Sequence, residues 1–567
     1  MKKVMKKILK ALNNRENLDI ASSIVPAIEP LRHNDKIILL MTVPLNSKQY
    51  CIFQGRGKNL HEAVKQAMET FLQNSSREAN IKSVRLDIVS AIKPVHKNRT
   101  VPGFRDYDVL YRKGAEGLAI GRDLGVIFLP GEVLRFKLID DKKIQPENLL
   151  EAMKAYPRYP IDEQIMNQVK SLPEQEIYKV AFLSYHLDQY GYSYFNDGVR
   201  QVLKINEPVL QKAILLAKNN YFKKVVGKKG KYIYSYLPFE DTKEKRYNLL
   251  RHAGTTYSIL ETLELFPDDQ LLENAVMTID YLVAQTRQFQ VKDKQVCAVI
   301  EKDNVKLGGN ALAIIALAKY TRLTNDYRYL PLMQGLGKWI FETQDQQGQF
   351  TVHKQDYNTG VIDEFTSNYY PGEAVLALTR LYQLDGDENW LDAAEKGVKY
   401  LIQCRDRDHT SDTITHDHWL LYGLNELYRE RSLKLFLEHA FFIAEAIVKH
   451  QITDQDQSSN GAYYFPHPRL ESTPTAVRTE GLCAAYLLAR DFGYEKEAVI
   501  FEAAIRKGIR FQLQTQVWPA DLLFYKRKKR CLGAFKKGLR SYDLRIDYTQ
   551  HNISSLLAYY KILNGRI

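Results

Sequence analysis

Six segments of the chain repeat one pattern, a polar or Gly-containing start running into a small, apolar helix, and this repetition restricts the fold more than any other feature. They are RHAGTTYSILETL from Arg251, GGNALAIIALAKY from Gly308, YYPGEAVLALTRLY from Tyr369, HDHWLLYGLNELY from His416, VRTEGLCAAYLLA from Val477 and RIDYTQHNISSLLAYY from Arg545. Successive starts lie roughly 50–70 residues apart, the length of one helical hairpin with its loops. Longer amphipathic helices fall between them, most with acidic first turns that suit the positive end of a helix dipole: Asp268–Thr286, Asp326–Thr343, Asp387–Gln403, Ser432–His450 and Glu495–Gln512. The first set is rich in Ala, Gly and Leu, as packing on all sides requires, and the second keeps a polar face. The pattern therefore predicts an inner and an outer ring of helices, an (α/α)6 toroid. The sixth inner helix is the last helix of the chain, so the sixth outer helix is expected within residues 174–220. Three Gly-plus-aromatic inserts, Lys228–Tyr236, Gly348–His353 and Asn460–His467, precede the odd-numbered inner helices and read as short strands or hairpins on one rim.

The first third of the chain is mixed. Lys36–Pro44 and Gln49–Gln54 read as strands, Asn59–Asn74 as an amphipathic helix, Val84–Val95 as a strand, and Gly117–Gly121 and Gly125–Pro130 as two short strands. The expected organisation is a basic helical segment over 1–34, an α+β domain over 35–150, a linker over 151–174 and the toroid over 175–567. The class is multidomain and mainly α. The order GRGKNLHEAVKQAM, VRLDIVSAIKPV, EGLAIGRDLGVIFLPGEVL over residues 35–150 resembles the AMMECR-like domain family, with Gly55-Arg56-Gly57 where that family carries an arginine–glycine–cysteine turn.

Composition sets the class of partner. Lys and Arg number 80 against 67 Asp and Glu, a net charge of +13. The excess is concentrated at Met1–Lys10, Lys223–Lys231 and Tyr525–Arg540. A basic balance suits an anionic partner such as a uronic-acid polymer, a phosphate or a nucleic acid, and solvation alone is the bland alternative. Met1–Lys10 can also form a basic amphipathic helix that touches a membrane. Thirty-six Tyr supply amphipathic rings of the kind that line wet clefts. Five scattered Cys without a CxxC pair point to a reducing compartment. No apolar signal core and no run of about 18 apolar residues is present, so a cytoplasmic address is expected and no transmembrane helix. No recognition helix, aromatic RNA-binding motif or zinc finger supports a specific nucleic-acid partner. No GxxxxGK[ST] is present either, and no cofactor is expected.

The candidate site is at the starts of the inner helices, which a toroid brings together at one end. Glu373, Asp417 and Glu480 on three successive inner helices are the expected acid and base, since glycosidic chemistry needs one protonated and one ionised carboxyl group. Asp363 and Glu364 are further acid candidates. His252, His418 and His551 are expected to assist proton transfer. Arg251, Arg478 and Arg545 are expected to hold a substrate carboxylate through bidentate pairs, or to pair internally with Glu480 or Asp547. Asn310, Tyr370, Asp547 and Gln550 complete the expected binding set, with Tyr369 and Tyr463 as stacking candidates. The three histidines with Cys483 offer nitrogen and sulfur atoms of the type zinc takes, but no local ligand spacing such as HxxxH accompanies them, and no metal is expected.

The C-terminal two thirds resembles the six-hairpin glycosidase-like toroids, which include unsaturated glucuronyl hydrolases, sugar epimerases and polysaccharide lyases. The resemblance implies a carbohydrate-active enzyme acting on an acidic oligo- or polysaccharide, with hydrolysis preferred to elimination or epimerisation. The alternative is a non-catalytic scaffold whose basic surface docks an acidic protein, a membrane or a nucleic acid. A mouth with every carboxylate paired would favour the scaffold, and an open, Tyr-lined groove with unpaired carboxylates would favour the enzyme.

Overall fold

A computed structural model describes residues 1–16, 31–44, 49–75, 80–95, 109–159, 163–171, 176–453, 458–463 and 470–565. The chain forms two compact units, Met1–Gln201 with Trp518–Lys528, and Val202–Val517 with Lys529–Ile567. The architecture is mainly helical, an α+β unit built on a sheet followed by an (α/α)6 ring.

The first unit is built on a ten-stranded sheet. Its strands are β1 (Arg32–His33), β2 (Lys36–Pro44), β3 (Tyr50–Gly57), β4 (Val84–Pro94), β5 (Glu116–Ile120), β6 (Val126–Phe128), β9 (Arg158–Tyr159), β10 (Ile177–Asp188), β11 (Gly191–Asn196) and β12 (Val199–Arg200), with β7 (Ile139–Asp140) and β8 (Lys143–Ile144) as a separate hairpin. The main path runs β12-β11-β10-β4-β2-β3-β9. Helices α1 (Lys2–Asn14) and α2 (Leu60–Asn74) share one core with it. In α1, Met5, Ile8, Ala11 and Leu12 are buried against Leu39, Met41, Val64 and Tyr185 while the lysines face outward. Met1–Lys10 thus belongs to a helix whose apolar face is core and whose lysine face is exposed, and residues 17–30 of the expected 1–34 segment lie outside the described residues. The Gly55-Arg56-Gly57 run is structural: a side chain on Gly55 would meet the Ala63 carbonyl at 1.9 Å, and Arg56 donates to the carbonyls of Asp123 and Leu124 at 2.6 and 2.9 Å. Short helices α3 (Pro130–Arg135), α4 (Pro146–Ala155) and α5 (Glu163–Lys170) complete the unit. The expectation of helix from residue 175 does not hold. Residues 177–200 instead form β10 to β12: Val180–Leu187 is buried continuously, as a strand inside a sheet is, and Gly191 turns the chain back into β11.

In the second unit α6 (Glu207–Leu216) continues through a wider helical stretch, Ala217–Phe222, into the short α7 (Lys223–Val225). The six inner helices are α8 (Leu249–Leu265), α10 (Leu307–Thr324), α12 (Tyr370–Asp385), α14 (His418–Glu430), α16 (Ser472–Asp491) and α19 (Ile546–Leu563). Each packs on the next, and α19 packs back on α8, so the ring is closed. The outer helices α9 (Asp269–Val283), α11 (Leu330–Glu342), α13 (Glu388–Tyr400), α15 (Lys434–Lys449) and α17 (Glu495–Thr515) lie on them, and α6 covers α19 as the sixth outer helix. Asp268 and Asp387 cap α9 and α13 through their side chains. The connection to α19 includes the short α18 (Lys528–Cys531).

The rim inserts are smaller than the sequence suggests. Tyr232 and Phe350 each make a single bridge, to Val226 and Gln344, and Tyr463 makes one to Gln451. The rest of the third insert, residues 464–467, lies outside the described residues. The end of the first insert, Ser235 and Tyr236, does form a strand, but the two small sheets to which the rim strands belong were not legible as such. The strands β13 (Ser235–Leu237), β14 (Thr242–Lys243) and β19 (Leu544–Arg545) pair beside the starts of α8 and α19, and β15 (Thr286–Val291), β16 (Lys294–Glu301), β17 (Asn304–Lys306) and β18 (Lys354–Asp356) form a four-stranded sheet. Two basic runs are pinned in this unit: Lys223 pairs with Asp268 at 2.7 Å, and Arg530 lies over the Tyr236 ring.

Small residues set the helix spacing. A Cβ on Gly372 of α12 would stand 2.6 Å from the backbone nitrogen of Leu420 in α14, whereas one on Gly309 of α10 would meet nothing closer than 3.8 Å. Gly372→Ala is therefore expected to destabilise the ring by about 1–3 kcal/mol through overpacking. Gly309→Ala should be neutral or stabilising by up to about 1 kcal/mol, since Ala orders a helix more cheaply than Gly. Denaturant unfolding of the two variants beside the parent chain checks the contrast.

Candidate functional site

Every inner helix except α10 carries a polar or ionisable side chain to a cavity of about 690 Å³ at the N-terminal ends of the ring, and α10 contributes Leu312. From the expected set it is lined by Arg251, Tyr370, Glu373, His418, Arg478, Arg545, Asp547, Gln550 and His551, together with Tyr369 and Tyr463. Lys537, from the Tyr525–Arg540 basic run, joins the wall, as do Trp419, Tyr548 and Glu471. Four expected residues do not line it: Asp417, Glu480, His252 and Asn310.

Glu373 is 2% exposed, and its Oε2 has no hydrogen-bond partner among the described residues. It sits over Gly308, where a Cβ would stand 2.2 Å from Oε2, so the missing side chain on α10 makes its space. Burial, and then the nearby Asp417 carboxyl group, push its pKa well above the ordinary carboxylate range. Asp417 is fully buried and caps α14, its Oδ1 accepting from the backbone of Trp419 and Leu420 at 3.0 and 3.2 Å. Burial lifts its pKa to about 7.

Glu480 is deeper than its place in the motif suggests because α16 begins at Ser472, five residues before Val477. Its Oε1 accepts from His551 Nδ1 at 2.9 Å, and its Oε2 accepts from the Tyr422 hydroxyl at 3.3 Å. Burial lifts its pKa to about 7, with His551 opposing. The His551 ring therefore presents Nε2 away from Glu480, with Gln550 Nε2 at 3.4 Å. The His418 ring centroid is 5.3 Å from that of His551 and is tilted 79° to it. Both His418 nitrogens are buried without a hydrogen-bond partner among the described residues, and burial holds its pKa well below the usual imidazole value.

His252 and Asn310 are corrections. His252 accepts from the Tyr247 hydroxyl at 2.7 Å through Nδ1 and donates to the Thr278 carbonyl at 2.8 Å through Nε2, which turns it toward α9. Burial brings its pKa down to about 4. Asn310 Oδ1 accepts from the Val299 backbone at 2.8 Å, tying α10 to β16. Both are one helical phase away from the cavity, and sequence position at a helix start does not reveal phase. Asp363 is paired with Lys354 at 2.5 Å, and neither Asp363 nor Glu364 lines the cavity.

The arginines act differently from one another. Arg251 and Arg545 both grip Asp547, at 3.0 and 2.6 Å. Arg478 donates to His416 Nδ1 at 2.8 Å and to the Pro474 carbonyl at 2.9 Å, and lies over the Tyr463 ring. Burial lowers its pKa. Lys537 stands 3.6 Å from Glu471. Tyr422 and Lys537 are functional neighbours that the motif reading did not single out. The signal for Tyr422 was its place four residues after His418, on the same face of α14.

No protein-family model matches the chain, and no curated protein does. Similar solved structures include an alpha-1,6-mannanase from a Salegentibacter species, with 13% identity and a TM-score of 0.45 over 63% of this chain and 99% of that one. A cellobiose 2-epimerase from Bacillus thermoamylovorans has 14% identity and a TM-score of 0.47 over 63% of this chain and 100% of that one. An unsaturated glucuronyl hydrolase specific for heparin has 14% identity and a TM-score of 0.45 over 64% and 99%. Among the described residues no helix is long and apolar enough to cross a membrane.

The raised pKa of Glu373 has a measurable cost. The folded chain holds its proton where the unfolded chain has lost it, so stability falls as pH rises above the ordinary value of 4.5. Glu373→Gln removes that penalty. The variant and the parent should melt together near pH 4, and the variant should melt higher near pH 8, with the gap widening between.

Proposed function

We propose that the ring unit acts on an acidic sugar by moving a proton at the carbon next to a carboxylate, the chemistry shared by uronate epimerisation and elimination. The observation that carries this reading is the His551–Glu480 pair opening onto the cavity beside His418. A carboxylate that accepts from Nδ1 fixes the tautomer and leaves Nε2 as a basic lone pair, which is the arrangement a general base needs. Two of the three carboxylates expected to do acid–base work stand behind the cavity wall, so the imidazoles are better placed than a carboxylate pair.

The roles follow from position. His551 Nε2 takes the proton, and Glu480 stabilises the imidazolium that forms. Charge then develops on the substrate carboxylate, where the cationic wall is the counterpart. With Glu373 protonated, Arg251, Arg478, Arg545 and Lys537 face only Asp547 and Glu471 as ionised carboxylates. Protonated Glu373 is the donor that returns a proton, to carbon in an epimerisation or to the departing oxygen in an elimination. The aromatic rings of Tyr369, Tyr370, Trp419 and Tyr548 offer faces to a pyranose.

Hydrolysis is the second reading and rests on Glu373, a buried, protonated carboxyl group in the cavity wall suited to a general acid. The scaffold reading is disfavoured because Glu373 Oε2 has no partner among the described residues and the cavity beside it is open.

The deciding experiment incubates the protein with uronate-containing and neutral oligosaccharides in D2O. Deuterium at the carbon next to the carboxylate, or a new conjugated double bond, is the expected result. His551→Ala and Glu480→Gln should each lower kcat by about 10²–10⁴-fold. New reducing ends without deuterium or unsaturation would establish hydrolysis instead. Binding of every polyanion that vanishes in moderate salt, with no turnover, would establish the scaffold.

A further inference from the structure

We infer that His418, His551 and Glu480 form a binding site for a divalent transition-metal ion, zinc by the chemistry of its donors. The three residues come from α14, α19 and α16, and each offers one ligand atom within 4.8 Å of the others. Two imidazoles and one carboxylate are a common zinc donor set, completed by a fourth ligand from solvent or substrate. Both histidines line the cavity, so that fourth position opens onto it.

The second observation is independent of this clustering. A buried imidazole ordinarily has its nitrogens satisfied, as His252 does. His418 is 4% exposed and has neither satisfied among the described residues. A metal ion beside it would take the lone pair that no protein donor meets. Zinc bonds of about 2.0–2.2 Å require the three groups to draw together by about an ångström, which side-chain rotation supplies. Outside the ligands, the Tyr422 hydroxyl holds Glu480 Oε2 at 3.3 Å and fixes the carboxylate plane. Metal taken up through Nδ1 displaces the proton shared by His551 and Glu480, which moves to His551 Nε2. The Arg478 guanidinium opposes the added charge, and the carboxylate of Glu261 favours it.

The absence of a local HxxxH spacing does not bear on this site, because its ligands come from three helices that only ring closure brings together. Metal binding rests on geometry alone. Its consequence rests on the proposed function: zinc on His551 Nδ1 puts the ring proton on Nε2 and removes the basic lone pair, so metal and proton transfer exclude each other.

The test uses the full chain, stripped with a chelator and titrated with Co²⁺ and then Zn²⁺, followed by visible absorption and calorimetry. One metal per chain is expected, with the intense visible bands of tetrahedral cobalt that zinc then bleaches. His418→Ala and His551→Ala should each weaken binding by about 100-fold, and the exposed-site control His409→Ala should not. His418→Gln and near-ultraviolet dichroism of every variant separate ligand loss from misfolding. Absence of stoichiometric binding, or undiminished binding in both histidine variants, overturns the site. Because the readout needs no turnover, its failure is distinct from failure of the proton-transfer reading.

Discussion

Closure of α19 on α8 is the constraint on which the ring unit depends. It joins residues separated by roughly 300 positions, a loop whose closure costs about 5 kcal/mol in chain entropy beyond a constant term. Burial offsets that readily: Ile553, Leu556, Leu557 and Tyr559 of α19 are almost wholly buried, and each such side chain contributes about 1.5–3 kcal/mol. Polar contacts fix the register of the seam. Ser258 donates to the Gln550 carbonyl at 3.1 Å, Ser554 to Glu261 at 2.6 Å, and the Ile546 backbone to the Tyr234 carbonyl at 3.1 Å. Without the seam Gln550 and His551 would have no fixed place beside α14 and α16.

The same tight packing decides the chemistry. Glycines that let helices approach leave several ionisable groups at the inner helix starts deeply buried, and burial disfavours their charged forms. Glu373, Asp417 and Glu480 are all pushed toward protonation and His418 away from it, with burial the largest cause each time. Beside them Arg251 and Arg545 pair with Asp547 from two sides, at 3.0 and 2.6 Å. The cavity wall therefore combines one acid pushed toward protonation, Glu373, one imidazole pushed away from it, His418, and the Arg251–Asp547–Arg545 ion cluster. That combination suits proton transfer more than simple charge binding.

Much of this was legible because helical periodicity is local. Gly308–Tyr320 and Tyr369–Tyr382 announce inner helices without any knowledge of their partners, and the need for a sixth outer helix upstream is met by Glu207–Leu216. What was not legible depends on phase and on distant neighbours. His252 faces Thr278 and Asn310 faces Val299 because α9 and β16 occupy those sides, which no residue near them in sequence records. The lysine-rich face of α1 looks the same in sequence whether its apolar face meets a membrane or a sheet. The fifth inner segment was read from Val477, yet α16 begins at Ser472.

That misplaced start has the largest consequence for function. From Ser472 to Glu480 a helix rises about 12 Å. A carboxylate at that depth stands behind the cavity wall, and the His551 imidazole lies between it and the cavity, with one nitrogen on Glu480 and the other toward the cavity. A shallower Glu480 would be a direct acid or base, with no need for a histidine in front of it. Helix depth thus puts His551, backed by Glu480, at the cavity wall where the sequence presents Glu480 itself. That rearrangement arises from five residues of helix, not from any change in the residues themselves.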